Sequence, residues 1–433
     1  MRRKTLLWII LSASLVLLMS AGSVFAAGFA LYEGSARGLV LGAGLTATAD
    51  DPSAVFYNPA GITQLKGMQT MVGVTAINPG LTVATVGEFT IALTPTITGT
   101  TSRQTDMENN WFFPPHAYFT QQINDRFSWG LGLFSRFGLG TEFPLTWPGR
   151  YNSTKATIQS LELNPNIAFK INDQLSVAAG LSAMWFNANL QRMLDTRGVP
   201  PAVGGGADTH FELDGDSWGW GFNLAVHYKP CDWFSAGISY RSRVEQELEG
   251  DVKVSRQIPA VNIVNMSGEA DIKLPSEIFA GVAFKPLKTL TIGGGIYWTE
   301  WSTYDQLEVR FARPFGPTGA TSSRSVKDWD DVFRYMIGVE WNVTPNWDLR
   351  LSYAFDESPV VDAHIDYILP DSDRHQFTIG GGWHSGPWTV DLAYMYILFE
   401  DRDIAARPGD YILQGKVEDG YAHLISFSLG YKF

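Results

Sequence analysis

The sequence predicts an all-β protein, a transmembrane antiparallel β-barrel of about fourteen strands with an N-terminal hatch, or plug, inside the lumen. Three observations support this fold class. The chain begins with an export signal, it ends in an alternating strand that closes on an aromatic residue, and short turns recur along its length. We therefore expect a multi-pass β-barrel in the bacterial outer membrane.

The first residues have the layout of a signal peptide. Arg2, Arg3 and Lys4 are basic, Leu6 to Met19 is apolar, and Val24-Phe25-Ala26 fits a cleavage site. Residues 1–26 are accordingly predicted to be removed, which leaves Ala27 first. The alternative is a retained anchor, but the apolar run is shorter than the roughly 20 residues of a spanning helix.

The C-terminal stretch "HLISFSLGYKF" alternates strictly. One face carries Ile425, Phe427, Leu429, Tyr431 and Phe433, and the other face is small or polar at most positions. "WDLRLSYAF", "WTVDLAYMYIL" and "WGWGFNLAVHY" repeat the pattern. Lipid-facing side chains of a membrane barrel are apolar and lumenal ones are polar, so a series of such segments favours a barrel over a sandwich.

Turn signals give the number of strands. Short breaks at Asn124-Asp125, Asn172-Asp173, Lys229 to Asp232, Lys285 to Leu287, Thr344 to Asn346 and Ser385 to Pro387 predict six periplasmic hairpins. With one strand at each end, these hairpins make about fourteen strands. We place the first near Met68 to Asn78 and the last near Gly420 to Phe433, so residues 67–433 form the predicted barrel.

Composition excludes several classes of protein. The net charge of −12 argues against a nucleic-acid partner. The single cysteine, Cys231, excludes an intramolecular disulfide framework. We expect a monomer that contacts outer-membrane lipid and lipopolysaccharide, and that the barrel-assembly machinery recognises through the C-terminal Phe433.

Residues 27–66 are small and apolar and match no strand pattern. A barrel of about fourteen strands has a lumen too wide for its own side chains to fill, so this segment is predicted to fold inward as a plug. Asp50 and Asp51 could cap a short helix or pair with lumenal bases, while Pro59 and Gly61 fix a bend.

A resemblance to a known family rests on these residues. "AGFALYEGSARGL", "ADD" and "NPAGIT" resemble the hatch of the FadL-type outer-membrane transporters of long-chain fatty acids and hydrocarbons. The resemblance continues through "SRFGLGTEF" (135–143), "YRS" (240–242), "LPSEIFAG" (274–281), "FDESPV" (355–360) and "LPDSDRH" (369–375). Asn58, Pro59, Ala60 and Gly61 match the family's hatch motif.

The resemblance implies passive uptake of hydrophobic small molecules. The ligand would be captured by extracellular loops, bound in a lumenal pocket, and released sideways where the third strand kinks. The matching stretch is Phe137, Gly138, Leu139 and Gly140, in which two glycines can interrupt the ladder. We expect the Asn58–Ala60 bend to lie beside the wall, close to this opening.

An acyl chain needs an apolar exception to the polar lumen. The inward-phase candidates are Phe134, Met184, Phe186, Met336 and Met395; contact with the plug would explain them equally. Arg192, Arg334 and Arg350 are the candidates for binding a carboxylate, with plug contacts or lumenal salt bridges as the alternative. A fatty acid needs such a cation, whereas an aromatic or alkane hydrocarbon does not.

The alternatives to transport of hydrophobic molecules are a diffusion porin and an outer-membrane lipid hydrolase. A diffusion porin for polar solutes does not account for the plug. An outer-membrane lipid hydrolase needs a nucleophile with a base, and the sequence carries no nucleophile elbow and no zinc-type histidine pair. We expect no enzymatic activity, no cofactor and no metal site.

Overall fold

The structure is a computed structural model that describes residues 28–90 and 95–433. The predicted signal peptide, residues 1–26, lies outside the described residues. In chain order the strands are β1 (Met68–Phe89), β2 (Ile97–Asp106), β3 (Pro115–Gln122), β4 (Phe127–Phe134), β5 (Gly138–Glu142), β6 (Lys155–Lys170), β7 (Leu175–Leu194), β8 (Thr209–Cys231), β9 (Phe234–Arg241), β10 (Val244–Val254), β11 (Met266–Leu274), β12 (Glu277–Leu287), β13 (Leu290–Thr299), β14 (Gln306–Phe315), β15 (Ala320–Val326), β16 (Val332–Thr344), β17 (Trp347–Asp356), β18 (Arg374–Ser385), β19 (Trp388–Phe399), β20 (Arg402–Ile404) and β21 (Gln414–Lys432).

These strands form a closed antiparallel barrel of fourteen strands, as predicted. Closure is made by β1, which pairs with β3 on one side and with the last strand, β21, on the other. Five barrel strands are interrupted and consist of two segments each, namely β4–β5, β9–β10, β11–β12, β13–β14 and β15–β16. The short strands β2 and β20 extend the wall at the extracellular end only.

The six predicted turns all join consecutive strands. They connect β3 to β4, β6 to β7, β8 to β9, β12 to β13, β16 to β17 and β18 to β19. The first strand begins at Met68 as predicted but continues past Asn78 to Phe89. Pro79 is tolerated there because β3 pairs with β1 only as far as Val74, so the proline lies beyond the end of that ladder.

The alternation of side chains also agrees with the prediction. In β21, Ile425 and Phe427 are exposed on the outer face, whereas Leu424, Ser426 and Ser428 are buried on the inner face. The outer surface carries large exposed apolar side chains such as Trp220, Ile337, Leu351 and Ile379. An apolar belt of this kind is the surface that lipid covers.

The segment before β1 lies inside the barrel and is almost entirely buried. It forms three short helices, α1 (Ala36–Leu41), α2 (Ala43–Thr48) and α3 (Ala54–Tyr57), followed by a 3₁₀-helix at Pro59–Gln64. We call residues 28–67 the hatch. Ser35 caps α1 by accepting a hydrogen bond from the Gly38 amide, and Gly42 permits the turn into α2 with a φ of 44°.

The hatch touches the wall around most of its circumference. α1 lies against β16 to β19 and β21, α2 lies against β9, β12, β13 and β16, and the 3₁₀-helix lies against β3, β4 and β6 to β8. Further 3₁₀-helices occur at Pro201–Val203, Pro259–Val261, Trp301–Thr303 and Pro408–Asp410. Within the described residues, no helix combines the length and the apolar character that a membrane crossing requires.

Candidate functional site

The third barrel strand is interrupted between β4 and β5. Phe134 pairs with Glu162 and Gly138 pairs with Gln159, so three residues of the third strand, Ser135 to Phe137, stand opposite two residues of β6. The extra residue is a β-bulge, which bends a strand and leaves part of its ladder unpaired.

The side chain of Ser160 fills the break in the ladder. Its hydroxyl accepts a hydrogen bond from the Phe137 amide at 2.9 Å and donates one to the Phe137 carbonyl at 2.7 Å. The first residues of the hatch pair with the same stretch from inside. The Leu31 amide donates to the Arg136 carbonyl at 2.6 Å and the Gly138 amide donates to the Phe29 carbonyl at 2.8 Å. The hatch therefore holds the bend inward.

Above the bend, β5 has no neighbouring strand on its other side among the residues that the structure describes. β3 begins only at Pro115, and the segment 107–114 meets β5 through one backbone hydrogen bond, from the Glu108 amide to the Glu142 carbonyl. The Phe112 ring occupies the space beside Gly140, where an added Cβ would lie 2.1 Å from the ring. We call this place, bounded by residues 107–114 and β5, the wall window.

The wall window faces lipid on its outer side. Trp111 and Phe113 are exposed at 48% and 38%, whereas Phe112 between them is buried. Phe112, Ser160 and Phe29 were not predicted as site residues from the sequence. A signal for the window is present in "WFFPP", because two prolines cannot donate to a central ladder and so predict a local gap between strands.

The residues of the predicted opening lie at this place. Phe137 lies in the interruption, whereas Gly138, Leu139 and Gly140 pair regularly with β6 and form the β5 edge of the wall window. The ladder to β6 is therefore interrupted just before the two glycines. The backbone of the bend bonds Phe29 and Leu31 of the hatch, whereas Asn58 bonds β8. These contacts join residues far apart in the sequence, so a local motif does not predict them.

The Asn58–Gly61 motif instead fastens the hatch to another part of the wall. The Asn58 side-chain amide donates to the Thr46 carbonyl at 2.8 Å and to the Val226 carbonyl of β8 at 3.0 Å, and its oxygen accepts from the Ala60 amide. Pro59 occupies the first turn of the 3₁₀-helix. Ala60 is fully buried, and a Cβ on Gly61 would collide with Ala49.

A cavity of about 190 Å³ lies at the extracellular end of the lumen. Its apolar lining includes Leu190, Phe211, Leu213, Leu307 and Val309. Its polar lining is about as extensive and includes three cations, Lys155, Arg192 and Arg324. A narrow apolar slot of about 20 Å³ adjoins it and shares Leu190, Leu213 and Leu307. A concave space that combines apolar side chains with charged ones suits an amphipathic small molecule.

Apolar inward side chains connect this cavity to the bend. Ala188 lies next to Leu190 on the inner face of β7 and pairs with Ile158 of β6. Ile158 in turn pairs with Leu139 of β5. Phe186 stands opposite Ser160, directly beside the interruption. All of these side chains except the partly buried Leu190 are buried, so the lumen is apolar along this path.

The five candidate pocket residues all point inward and are buried. Met184 and Phe186 lie on β7, on the path from the cavity. The other three contact the hatch: Phe134 packs edge-on against Phe56 at 4.9 Å, Met336 fills the space beside Gly42, and Met395 lies in one cluster with Leu39 and Val40.

The three candidate arginines lie in different surroundings. Arg350 bonds Glu340, Asp348 and Asp391, so its donors are already used by carboxylates. Arg334 lies 4.9 Å over the ring of Tyr32 in the hatch and bonds Gln376. Arg192 alone of the three lines the cavity, 5.4 Å over Phe211, and among the described residues it has no carboxylate partner.

Asp50 and Asp51 belong to a charged cluster at the periplasmic end. Arg37 of the hatch bonds both, at 2.6 and 3.0 Å, and reaches Glu340 of the wall at 2.8 Å. Asp51 also accepts a hydrogen bond from the Ser53 amide before α3. Burial acts to raise the pKa of the Asp50 carboxyl, but the charge and hydrogen bond of Arg37 outweigh it and hold that pKa well below its usual range.

The described residues include no group of His, Cys, Asp and Glu side chains arranged to hold a metal ion. The histidines are dispersed: His116 bonds Ser428, His227 bonds the Ala47 carbonyl of the hatch, and His384 bonds Asp348. Their contacts are with the wall and the hatch.

Comparison with known proteins adds independent findings. A family model described as "Outer membrane protein transport protein (OMPP1/FadL/TodX)" matches residues 17–433. The chain is 27% identical over 408 residues to the long-chain fatty acid transport protein of Escherichia coli O6:H1, with 88% of each chain covered. It is also 27% identical over 457 residues to a putative outer membrane protein of Neisseria meningitidis serogroup B, with 96% of each covered.

Solved structures share the fold. A Pseudomonas aeruginosa FadL homologue superposes with a TM-score of 0.79 at 21% identity, covering 95% of this chain and 100% of that chain. The Pseudomonas putida toluene transporter TodX superposes with a TM-score of 0.68 at 18% identity, covering 94% and 99%. At these identities the likeness concerns the fold alone.

Proposed function

Because the chain belongs to the OMPP1/FadL/TodX family of outer membrane transport proteins, we propose that it takes up hydrophobic small molecules by a lateral route through the wall window. It is an outer-membrane transporter of hydrophobic compounds. In the proposed route the ligand enters the extracellular cavity, passes along the apolar path on β7, β6 and β5, and leaves into the membrane past Phe112.

The observation that carries this proposal is the missing ladder beside β5. A closed barrel has no edge, because each backbone group is paired with the next strand. Here residues 107–114 and β5 are held together by one backbone bond, by the hydrogen bond from the Asn110 side chain to Glu142 at 3.2 Å, and by the Phe112 ring. Displacing a side chain costs far less than breaking a strand ladder, so this is the place where the wall can open.

The outer surroundings of the wall window support release into lipid. Trp111 and Phe113 flank Phe112 with exposed aromatic faces, and an apolar ligand leaving between them stays out of water. The hatch fills the lumen below the bend, so a straight passage to the periplasm would require the hatch to move. The lateral route needs only a local displacement.

For the ligand, we propose an amphipathic molecule with a long apolar chain and one carboxylate. Arg192 supports this, since a guanidinium beside an apolar cavity binds a carboxylate well and its charge is otherwise unpaired there. The relative from Escherichia coli is named for long-chain fatty acids, whereas the structural neighbour TodX is named for toluene. An uncharged hydrocarbon would use the same apolar path without Arg192.

A reversible cross-link across the wall window tests the route. The Glu108 amide donates to the Glu142 carbonyl at 2.8 Å, so these two residues stand opposite each other on its two sides. In a Cys231→Ser background, we expect Glu108→Cys with Glu142→Cys to form a disulfide. The oxidised protein should lose most uptake per folded barrel, and reduction should restore it, because the two sides can no longer separate.

A matched disulfide provides the control. Glu245 and Lys273 face each other between β10 and β11, away from the wall window. Glu245→Cys with Lys273→Cys should cross-link equally well and leave uptake unchanged. Equal uptake by the oxidised and reduced forms of the Glu108–Glu142 pair would reject the lateral route through this place.

A further inference from the structure

Three motifs from distant strands meet in one buried ionic cluster. Arg136 of "SRFGLGTEF" lies in the third-strand bend, Arg241 of "YRS" ends β9, and Glu277 of "LPSEIFAG" begins β12. Glu162 of β6 completes the set. All four side chains are at most 1% exposed, and two cations balance two anions. None of these four residues takes part in the proposed route.

The contacts within the cluster form a continuous chain. Arg136 donates from Nε to Glu277 at 2.9 Å and from Nη1 to Glu162 at 3.2 Å. The other oxygen of Glu162 accepts from Arg241 Nη1 at 3.3 Å and from the Ser182 hydroxyl at 2.6 Å. Glu162 is therefore shared by the bend and by β9.

The chain continues into the hatch. Arg241 Nη2 donates to the carbonyls of Val55 and Phe56 at 3.0 and 2.8 Å. These carbonyls lie near the end of α3, where a helix has unpaired acceptors and a partial negative charge that attracts a cation. One chain of contacts thus runs from α3 through Arg241, Glu162 and Arg136 to the bend.

We propose that Arg241 and Arg136, joined through Glu162, are positioning residues that couple the seating of the hatch helix α3 to the inward bend of the third strand. When α3 shifts, Arg241 loses its two acceptors, Glu162 is released, and the guanidinium of Arg136 no longer fixes the bend. A ligand that displaces the hatch would in this way also loosen the wall beside the window. The role of this coupling in transport rests on the proposed lateral route. The coupling itself can be measured without ligand.

Amide hydrogen exchange of the folded barrel in detergent tests the coupling. Arg241→Gln removes the contacts to α3. The guanidinium also lies 5.1 Å over the Phe134 ring of the third strand, but among the described residues it makes no hydrogen bond to that strand. We expect exchange of the Phe137 and Gly138 amides to rise about tenfold or more, since hydrogen bonds to charged groups are the stronger ones. Arg241→Lys, which keeps a donor and the charge, should restore much of the protection.

Two comparisons separate coupling from general loosening. Arg310→Gln breaks an ion pair of the wall to Asp271, outside the hatch and the cluster, and should leave exchange at Phe137 and Gly138 as in the parent. The double variant Arg136→Gln with Arg241→Gln should raise exchange at the bend only slightly more than the stronger of the two single variants. Substitutions within one network are not additive in their effects.

The proposal is overturned if Arg241→Gln raises exchange only within residues 54–60, or if Arg310→Gln raises exchange at the bend equally. Should Arg241→Gln fail to assemble, Glu162→Gln is the alternative, since it keeps the shape and loses the charge. A failed cross-linking test of the wall window would leave this exchange result intact, so the two proposals fail independently.

Discussion

Arg37 in the hatch and Glu340 in β16 form a bidentate ion pair, with Nε and Nη2 at 2.8 and 2.9 Å from the two carboxylate oxygens. The same guanidinium bonds Asp50, so one residue ties α1, the loop before α3 and the wall together. Arg350 bonds Glu340 from the other side. The periplasmic end of the hatch is therefore held by charge, while its body is held by apolar packing.

Acidification should loosen this end of the hatch. The pKa of Asp50 in the folded state lies below its ordinary value of 3.8, so its contribution to stability is present at neutral pH and is lost as the pH falls below that value. We expect the conductance of the reconstituted protein to rise as the pH falls from about 4 to about 2.

Arg37→Gln identifies the source of that response. The variant should conduct more than the parent at pH 7 and should respond less to acid, because Asp50 then has no cation to lose. Arg310→Gln removes an ion pair to Asp271 on the outer wall and serves as the control, with a response like the parent's. An identical acid response in Arg37→Gln and the parent would contradict this assignment.

Removing residues 27–64 should leave a folded barrel with a much larger ion conductance. The hatch fills the lumen, and its only ladder contact among the described residues is the bridge between Ala30 and Phe137. The wall ladders therefore do not depend on it. Heat-modifiable migration in gels checks folding, and single-channel recording checks the pore; parental conductance in the deletion variant would mean that this segment does not plug the lumen.

Asn58→Ala should unseat the hatch without weakening the barrel. It removes donors to two carbonyls, and each buried group left without a partner costs about 1–3 kcal/mol. Ligand binding should weaken and hatch amides should exchange faster. The temperature at which the barrel unfolds should not change.

Asn58→Asp is the matched comparison for that variant. It keeps the acceptor for the Ala60 amide and loses the donor to Thr46 and Val226. We expect it to behave like Asn58→Ala if the wall contact matters, and like the parent if the local turn alone matters. A uniform loss of folded barrel in both variants would indicate a role in assembly instead.

Arg192→Met should discriminate between ligand classes. Binding of a long-chain fatty acid should weaken by about tenfold or more, because a charge-assisted hydrogen bond is lost. Binding of the alkane of equal chain length should change little, since methionine keeps the cavity apolar. Titration of purified barrel with both ligands measures this.

Arg197→Met is the control for Arg192→Met. Arg197 is paired with Asp195 and does not line the cavity, so affinity for both ligands should stay as in the parent. Equal affinity of parent and Arg192→Met for the fatty acid would exclude Arg192 as the carboxylate site.

The strand pattern determined the barrel from sequence alone. Side chains in a barrel alternate between lipid and lumen, so Ile425 and Phe427 reveal their face without knowledge of any neighbour. The six turns are equally local, and together they specify fourteen strands. The inward direction of Met184 and Phe186 follows from the same period of two.

Only the tertiary structure decided which of these inward residues meet. Arg192 and Arg350 have the same phase, yet one lines a cavity and the other is surrounded by three carboxylates from β16, β17 and β19. Phe29 lies over 100 positions from the bend that it pairs with. Periodicity fixes the direction of a side chain, whereas its partners depend on strand register and on how the hatch packs across the lumen, which are long-range contacts that no local pattern encodes.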